Sequence, residues 1–476
     1  MHLRSLAAGL ALLAGATAFA PNAAAQTPIA AASAQDLADF EGRYAYRDGG
    51  ELELVAYRGT LFAVIGEAKY PLRRQSADVF INGLNQAVPF RRDAAGAVTA
   101  FVEQGQAFPL LARAVRPESR ALLEPRPADA PPWTYAPPRD LNDGLAVGPA
   151  GSFGVPQATV ERLVAGVLGG AYPDVHSLLV WRSGRLVAEE YFHGYGPDRP
   201  HEMRSLTKAL IAMVVGAAAD RGLVQVDAPG ALQPFLIAGG VPDPRKLRVS
   251  LAHLLSMRSG VACDDESEQA PVSNATYRQA DWVAAFAAAP MTADPGGAGG
   301  PYCSFGVLAA GRAVELASRR PMAAFARETL FQPLGVPDAH WSWPFVLTSA
   351  GADDFAQIRM TPRAMMKLGV MMHGGGRGNG RAVLSEAWVR RMLSRQATVD
   401  GSGYGLGLRH RRYEVATPAG PRGVETLQLT GNGGQKIILV PSLDLIVVTT
   451  GGGYNENSPA NAMMAQVLLP ALLAQR

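Results

Sequence analysis

The chain has 476 residues, of which 48% are hydrophobic and 18% are charged, with 52 glycines and 35 prolines. These values are typical of a globular protein and exclude a disordered or fibrous chain, and the length predicts two or three domains. The formal net charge of +3 is too small to indicate nucleic acid or an anionic membrane surface as a partner. Only five of the 44 basic residues are lysines, so each lysine is a candidate for a specific role.

The N-terminal segment 1–25 has the pattern of an export signal. Arg4 supplies a positive charge, and the apolar core from Ser5 to Ala20 is too short for a comfortable membrane span. Three small alanines precede Gln26 and offer a cleavage site. We therefore expect a periplasmic or secreted protein with no stable membrane span in its mature form. The alternative is a retained anchor.

Residues 26–115 are expected to form a small β-rich accessory domain. Apolar residues alternate in ELELVAY (51–57) and TLFAVIG (60–66), on either side of a break at Arg58-Gly59. Alternation of this kind is typical of antiparallel strands, so we expect a small barrel or sandwich. Residues 116–145 contain seven prolines and are predicted to form a semi-rigid linker.

Residues 146–476 are expected to form one α+β domain. A strand hairpin turning at Ser183-Gly184 comes first, and strand patterns such as KIILVP and DLIVVTT return near the C-terminus. Helical patterns lie between them, at 205–221, 250–257, 304–319, 321–331, 361–374 and 385–394. Strands at both ends predict an antiparallel sheet that is built from distant segments and flanked by helices.

The stretch HEMRSLTKALIAMVV (201–215) places Ser205 and Lys208 three residues apart at the start of an apolar helix. Residues i and i+3 share a helix face, so the hydroxyl and the amine can form a hydrogen bond. An apolar wall disfavours the charged form of a lysine, and a neutral Lys208 can take the proton of a nucleophilic Ser205. The alternative is an ordinary helix start that Ser205 caps.

Two further segments carry groups suited to the same chemistry. Tyr302-Cys303-Ser304 enters a predicted helix and brings a phenol and a hydroxyl together, one of which can relay a proton to a leaving group. The segment LTGNGGQ (429–435) makes a glycine-rich turn before a strand, which leaves backbone N–H groups free to face an oxyanion.

In this order of motifs, residues 150–476 resemble the penicillin-recognising serine hydrolases, which include class C β-lactamases, DD-peptidases, esterases and nylon-oligomer (6-aminohexanoate) hydrolases. SLTK stands at the nucleophile motif of that family, and YCS stands at its Tyr-x-Asn/Ser position. The resemblance implies a β-lactamase/transpeptidase-like fold, an antiparallel sheet flanked by helices with an added helical region. It also implies an acyl-enzyme on Ser205, with Lys208 as base, Tyr302 assisting proton transfer and Ser304 in the proton relay.

The third motif departs from the penicillin-handling branches, which have Lys-Thr-Gly where this chain has Leu429-Thr430-Gly431. The turn that follows is more similar to the nylon-oligomer hydrolases. By the resemblance, the backbone N–H of Asn432 pairs with that of Ser205 as an oxyanion hole. The other predicted oxyanion or substrate-binding residues are Gly431, Gly434 and Gln435.

Two cysteines, Cys263 and Cys303, are expected to form a disulfide in an oxidising compartment, the alternative being two buried thiols. No metal-ligand spacing is present, so we expect neither a metal nor another cofactor. The acidic run Cys263-Asp264-Asp265-Glu266 is interpreted as a solvated loop, the alternative being that it lines the cleft.

The predicted function is cleavage of an ester or amide bond in a small molecule or short oligomer. One alternative is a true β-lactamase or D-Ala-D-Ala carboxypeptidase, and another is a catalytically silent binding module of the same fold. Leu429 cannot attract a carboxylate, so neutral substrates are favoured unless a nearby arginine replaces the missing lysine. Arg409 and Arg411 are the first candidates for that replacement.

Overall fold

The computed structural model describes residues 34–236, 243–349, 356–417 and 420–475. They fall into two compact units, divided between Ala128 and Asp129. The predicted export signal, residues 1–25, lies outside the described residues.

The first unit is a closed antiparallel barrel, as its alternating sequence predicts. Aromatic rings fill it: Phe40 lies 4.7 Å from Phe90, and Tyr44 lies 5.4 Å from Phe101, between ring centroids. Strand β1 pairs with both β2 and β8, which closes the barrel. The elements are α1 (Ala34–Ala38), β1 (Gly42–Ala45), β2 (Glu51–Tyr57), β3 (Thr60–Ile65), β4 (Ala68–Arg74), β5 (Val79–Ile81), β6 (Ala87–Arg92), β7 (Val98–Glu103), β8 (Gln106–Ala112) and α2 (Pro117–Ala121).

The proline-rich segment 116–145 contains a short helix and buried side chains. It begins with the short helix α2, and Leu122 and Leu123 after it are both buried. Further along, Trp133 and Tyr135 pack against a core of the second unit. The division between the units therefore falls inside the predicted linker, with buried leucines before it and rings that pack against a core of the second unit after it.

The second unit contains an eight-stranded sheet in the order β10-β9-β21-β20-β19-β18-β17-β16, in which every neighbouring pair is antiparallel. Two small sheets are formed by β11, β13 and β12 and by β14 and β15. The strands are β9 (Val175–Arg182), β10 (Arg185–Tyr191), β11 (His201–Glu202), β12 (Trp341–Ser342), β13 (Arg359–Met360), β14 (Arg377–Gly378), β15 (Arg381–Ala382), β16 (Ala397–Val399), β17 (Ser402–Tyr404), β18 (Arg409–Thr417), β19 (Gly420–Gly431), β20 (Gln435–Val440) and β21 (Leu445–Gly451).

Helices cover both faces of this sheet, so its central strands are apolar on both sides. Along β20, Ile437 and Leu439 join the core that contains α4, whereas Ile438 and Val440 join the core that contains α3 and α12. The helices of the unit are α3 (Gln157–Leu168), α4 (Thr207–Asp220), α5 (Leu251–Leu255), α6 (Trp282–Ala288), α7 (Ser304–Ser318), α8 (Met322–Ala326), α9 (Pro362–His373), α10 (Glu386–Leu393), α11 (Pro459–Ala462) and α12 (Leu469–Leu473). The predicted α+β architecture with an N-terminal all-β unit is confirmed.

Candidate active site

Ser205 lies in a single 3-10 turn, Arg204–Leu206, that leads directly into α4. Arg204 has a φ of 48°, in the left-handed region that residues other than glycine adopt at a cost. Ser205 remains partly exposed at this turn, whereas the apolar helix behind it is almost completely buried. The local backbone therefore presents a serine hydroxyl at the edge of a rigid core.

Lys208 lies on the first turn of α4 and meets Ser205 as the spacing predicts. Its Nζ donates a hydrogen bond to Ser205 Oγ at 3.0 Å, and the lysine is only 5% exposed. The alternative interpretation of Ser205 as the helix cap does not fit, since Leu206 is at that position and no side chain caps the helix.

Tyr302 joins this pair from the start of a second helix. It lies just before α7, which packs against α4. The centroid of its ring is 4.5 Å from Lys208 Nζ, within the range of a cation–π contact. The three residues predicted to be catalytic are therefore brought together at one place.

Ser304 reveals a partner that the sequence interpretation missed. Its Oγ donates to the Asp265 carboxylate at 2.5 Å, and its backbone N–H donates to the same carboxylate at 2.9 Å. The backbone N–H of Asp265 in turn donates to the Tyr302 carbonyl at 2.9 Å. Asp265 thus fixes the segment 302–304, which contains Tyr302, through hydrogen bonds at both of its ends.

The interpretation of residues 264–266 as a solvated loop is wrong for Asp265, which is 7% exposed. The backbone N–H and the hydroxyl of Ser304, at the start of α7, supply the hydrogen bonds that let a carboxylate be buried there. Burial raises the pKa of Asp265, while the positive charge of Lys208 opposes that rise. Nothing in the acidic run itself distinguishes Asp265 from Asp264 or Glu266, because the selection depends on a helix forty residues later.

Tyr277 is a second member of this network without a signal in the sequence. It forms a hydrogen bond with the Ser304 side chain, and burial, with the nearby Asp265 charge, raises the pKa of its phenol. Ser304 therefore lies between Asp265 and Tyr277, and its role in a proton relay stays a prediction.

Cys263 and Cys303 form the predicted disulfide. With Asp265, they are the only group of described side chains whose ligand atoms lie close enough together to hold a metal ion. Both sulfurs are bonded to each other, so neither is a thiolate that binds metal. The disulfide instead ties Asp265 and Tyr302 to each other through their chain neighbours.

The glycine-rich turn lies directly beside the nucleophile turn. At Gly431, the last residue of β19, an added Cβ would lie 2.1 Å from the Met203 carbonyl oxygen, so only glycine allows this approach. Asn432 follows, and its side chain exchanges two hydrogen bonds of 2.8 Å with Asn455. The turn is therefore fixed close to Ser205, as a predicted oxyanion hole requires.

Two of the predicted substrate-binding residues have other partners. The Gln435 side chain is fully buried and bonds both the carbonyl and the N–H of Gly451. The Gly434 carbonyl accepts a hydrogen bond from Thr449. The Gln435 side chain supports the turn through these bonds to strand β21, and a role of Gln435 and Gly434 in binding substrate stays a prediction.

Leu429 is completely buried, so no polar group replaces the missing lysine at that position. An arginine is close by instead. The guanidinium carbon of Arg409 lies 5.1 Å from the Tyr302 ring centroid and 5.9 Å from that of Tyr404. Among 39 arginines in the sequence, only the fold shows which one stands beside the site. Burial raises the pKa of Tyr404.

Comparisons with known proteins show the family to which the chain belongs. A family model described as beta-lactamase matches residues 157–467. The 6-aminohexanoate-dimer hydrolase of Paenarthrobacter ureafaciens is 26% identical over 299 residues, which cover 57% of this chain and 71% of that protein. The solved structure of a family VIII carboxylesterase, 18% identical, matches with a TM-score of 0.50 over 65% of this chain and 96% of its own. A class C beta-lactamase from Rhodobacter sphaeroides, 17% identical, matches with a TM-score of 0.49 over 67% and 99%. The resemblance seen in the sequence motifs is confirmed.

Proposed function

The chain belongs to the beta-lactamase family of serine hydrolases, and on that premise we propose that it cleaves an ester or amide bond through an acyl-enzyme on Ser205. The observation that carries the proposal is the 3.0 Å contact between Lys208 Nζ and Ser205 Oγ, in a place where the lysine is almost fully buried. Such a pair is the arrangement that an activated serine nucleophile requires.

The proposed reaction uses only side chains of this site. Lys208 acts as the base that takes the Oγ proton as Ser205 attacks the substrate carbonyl, and the charge on the carbonyl oxygen is held by backbone N–H groups of Ser205 and Asn432. Collapse of the intermediate breaks the bond to the leaving group, which receives the proton held by Lys208 with the help of Tyr302. Water then attacks the acyl-serine while Lys208 takes one of its protons, and that proton passes to Ser205 Oγ as the bond between the acyl group and the serine breaks.

We further propose that the protein is exported. The disulfide supports this, because such bonds persist in oxidising compartments. In the ranges that the structure describes, no helix has the length and apolar character needed to cross a membrane.

Hydrolysis of p-nitrophenyl esters, D-amino-acid amides and nitrocefin, measured side by side, tests the proposed function. We expect turnover of the esters or amides by the wild type and none by Ser205→Ala. Turnover of nitrocefin as efficient as that of good esters would identify a true β-lactamase. Failure of every substrate and of a fluorophosphonate probe to react would identify a silent binding module.

A further inference from the structure

A short loop after β21 contacts both of the turns that contain the proposed oxyanion donors. This loop, residues 453–455, has the sequence Gly-Tyr-Asn and follows closely on the end of the strand. It contacts the glycine-rich turn at Asn432 and Gly433. It contacts the nucleophile turn at Arg204. The 453–455 loop therefore connects two turns that lie far apart in the sequence.

On the side of the glycine-rich turn, the contacts are hydrogen bonds and close packing. The side chain of Asn432 donates to Asn455 Oδ1, and the backbone N–H of Asn455 donates to Asn432 Oδ1, both at 2.8 Å. The ring of Tyr454 packs against Gly433, where an added Cβ would lie 2.7 Å from a ring carbon. Gly433 and Gly453 also form an isolated antiparallel bridge. The loop thus holds the turn at two successive residues.

On the side of the nucleophile turn, the contact is with Arg204, which directly precedes Ser205. The guanidinium carbon of Arg204 lies 5.0 Å from the centroid of the Tyr454 ring, within the range of a cation–π contact. Its Nε lies 3.0 Å from a carboxylate oxygen of Glu202, a largely buried side chain. The ring and the carboxylate therefore hold the side chain of a residue whose left-handed backbone is costly and needs support from its surroundings.

An oxyanion hole works only when its donors lie within hydrogen-bond distance of one oxygen atom. The proposed donors are the backbone N–H groups of Ser205 and Asn432, and the 453–455 loop contacts the chain at or next to each of them. We propose that Tyr454 and Asn455 are positioning residues, which hold these two N–H groups at the separation that the oxyanion requires. Tyr454 acts on the nucleophile turn through Arg204. This inference rests on the proposed function, because it presupposes an oxyanion formed by attack of Ser205.

Asn455 is suited to a first test, because its side chain is exposed and glycine adopts its φ of 65° without strain. Asn455→Gly removes the acceptor for the Asn432 side chain, and Asn455→Asp keeps an acceptor oxygen there. We expect Asn455→Gly to lower kcat for a p-nitrophenyl ester by about tenfold with little change in KM, less than the ~10²–10³-fold lost with a whole donor. Asn455→Asp should restore kcat to near the wild-type value.

Asn85→Gly is the matched control for this substitution. Asn85 is also exposed, has a φ of 59° and accepts a hydrogen bond from the side chain of Arg73, but it lies in the barrel. We expect Asn85→Gly to leave kcat and KM unchanged.

Tyr454 is tested through its ring. Tyr454→Leu removes the ring that contacts Arg204 and Gly433, whereas Tyr454→Phe keeps it. We expect the leucine variant to lower kcat by at least tenfold and the phenylalanine variant to retain most of it. Phenylboronic acid, a competitive inhibitor whose boron bonds Ser205 Oγ in a tetrahedral adduct, supplies the second readout. A misplaced donor raises its Ki, whereas partial unfolding lowers only the active fraction, so we expect Ki to rise with the loss of kcat.

The outcomes separate this inference from the proposed function. Unchanged kcat and Ki in Asn455→Gly and Tyr454→Leu, with an inactive Ser205→Ala, would overturn the positioning role and leave the proposed function in place. A lower kcat with an unchanged Ki would also overturn it, because the loss would then come from folding. Activity that survives in Ser205→Ala would overturn the proposed function and this inference together.

Discussion

Lys208 is the proposed general base, so its replacement tests the proposed chemistry directly. Replacement by alanine removes the amine that takes the Ser205 proton, and a lost general base costs roughly 10²–10⁴-fold in rate. We therefore expect Lys208→Ala to lower kcat by about that factor with little change in KM. Steady-state kinetics on the best ester checks this, and Lys246→Ala is the control for loss of another buried lysine, one bonded to helix carbonyls. A Lys208→Ala enzyme with normal kcat would remove the lysine from the mechanism.

The lowered pKa of Lys436 predicts how the free energy of unfolding depends on pH. Its pKa is about 8 in the folded protein and 10.5 for an ordinary lysine, so between these values the unfolded chain binds more protons than the folded one. The contribution of Lys436 to the free energy of unfolding therefore increases as the pH rises from about 8 to 10.5. Burial lowers this pKa most, and the other charged groups that act on it are Arg409 and Arg411.

The measurement is urea unfolding of the wild type and Lys436→Met across this pH range without added anions. We expect the variant to be more stable at pH 7, and we expect the difference to shrink as pH approaches 10. A difference that stays constant over this range would show that the charge of Lys436 is not what destabilises the wild type.

The end of strand β19 sets the distance between the glycine-rich turn and the nucleophile turn. In Gly431→Ala the new Cβ would lie 2.1 Å from the Met203 carbonyl oxygen. The backbone of the glycine-rich turn or that of the nucleophile turn must therefore move. Because a donor to an oxyanion acts only over a narrow range of distance, we expect kcat to fall by about 10²-fold. Gly196→Ala is the matched control, since an added Cβ there has nothing within 4 Å. Full activity in Gly431→Ala would show that the turn is not part of the site.

The disulfide connects the loop of Asp265 to the start of α7. The cysteines are 40 residues apart, and closing a loop of that size stabilises the folded state by about 3–4 kcal/mol in the chain-entropy model. We expect the double variant Cys263→Ala/Cys303→Ala to lose about this much free energy of unfolding and to lose activity, as the hydrogen bonds that fix the segment 302–304 loosen. Chemical denaturation with and without reductant checks it. An unchanged unfolding midpoint after complete reduction would contradict the prediction.

Across the whole molecule, the parts predicted from sequence are those that local patterns encode. Ser205 and Lys208 are neighbours on one helix turn, and the hairpin at residues 183–184 is a two-residue loop, so short spacing predicts these contacts. The order of the family motifs then distinguished a nucleophile from an ordinary helix start. The parts that were missed depend on contacts between distant segments. Asp265 is buried only because Ser304, at the start of α7, supplies hydrogen-bond donors, and Gln435 is bonded to Gly451 of a different strand. Arg409 was one of two candidates from the sequence, and only the fold shows that it reaches Tyr302, from a strand more than 100 residues later.

The central claim is that this molecule forms a covalent acyl intermediate on one serine. The direct measurement is mass spectrometry of the intact protein and of its peptides after reaction with a slow acylating ester or a fluorophosphonate. The account predicts one adduct per molecule, located on the peptide that contains Ser205, and none in Ser205→Ala. An adduct on any other serine, or an unmodified protein that nevertheless hydrolyses the ester, would contradict it.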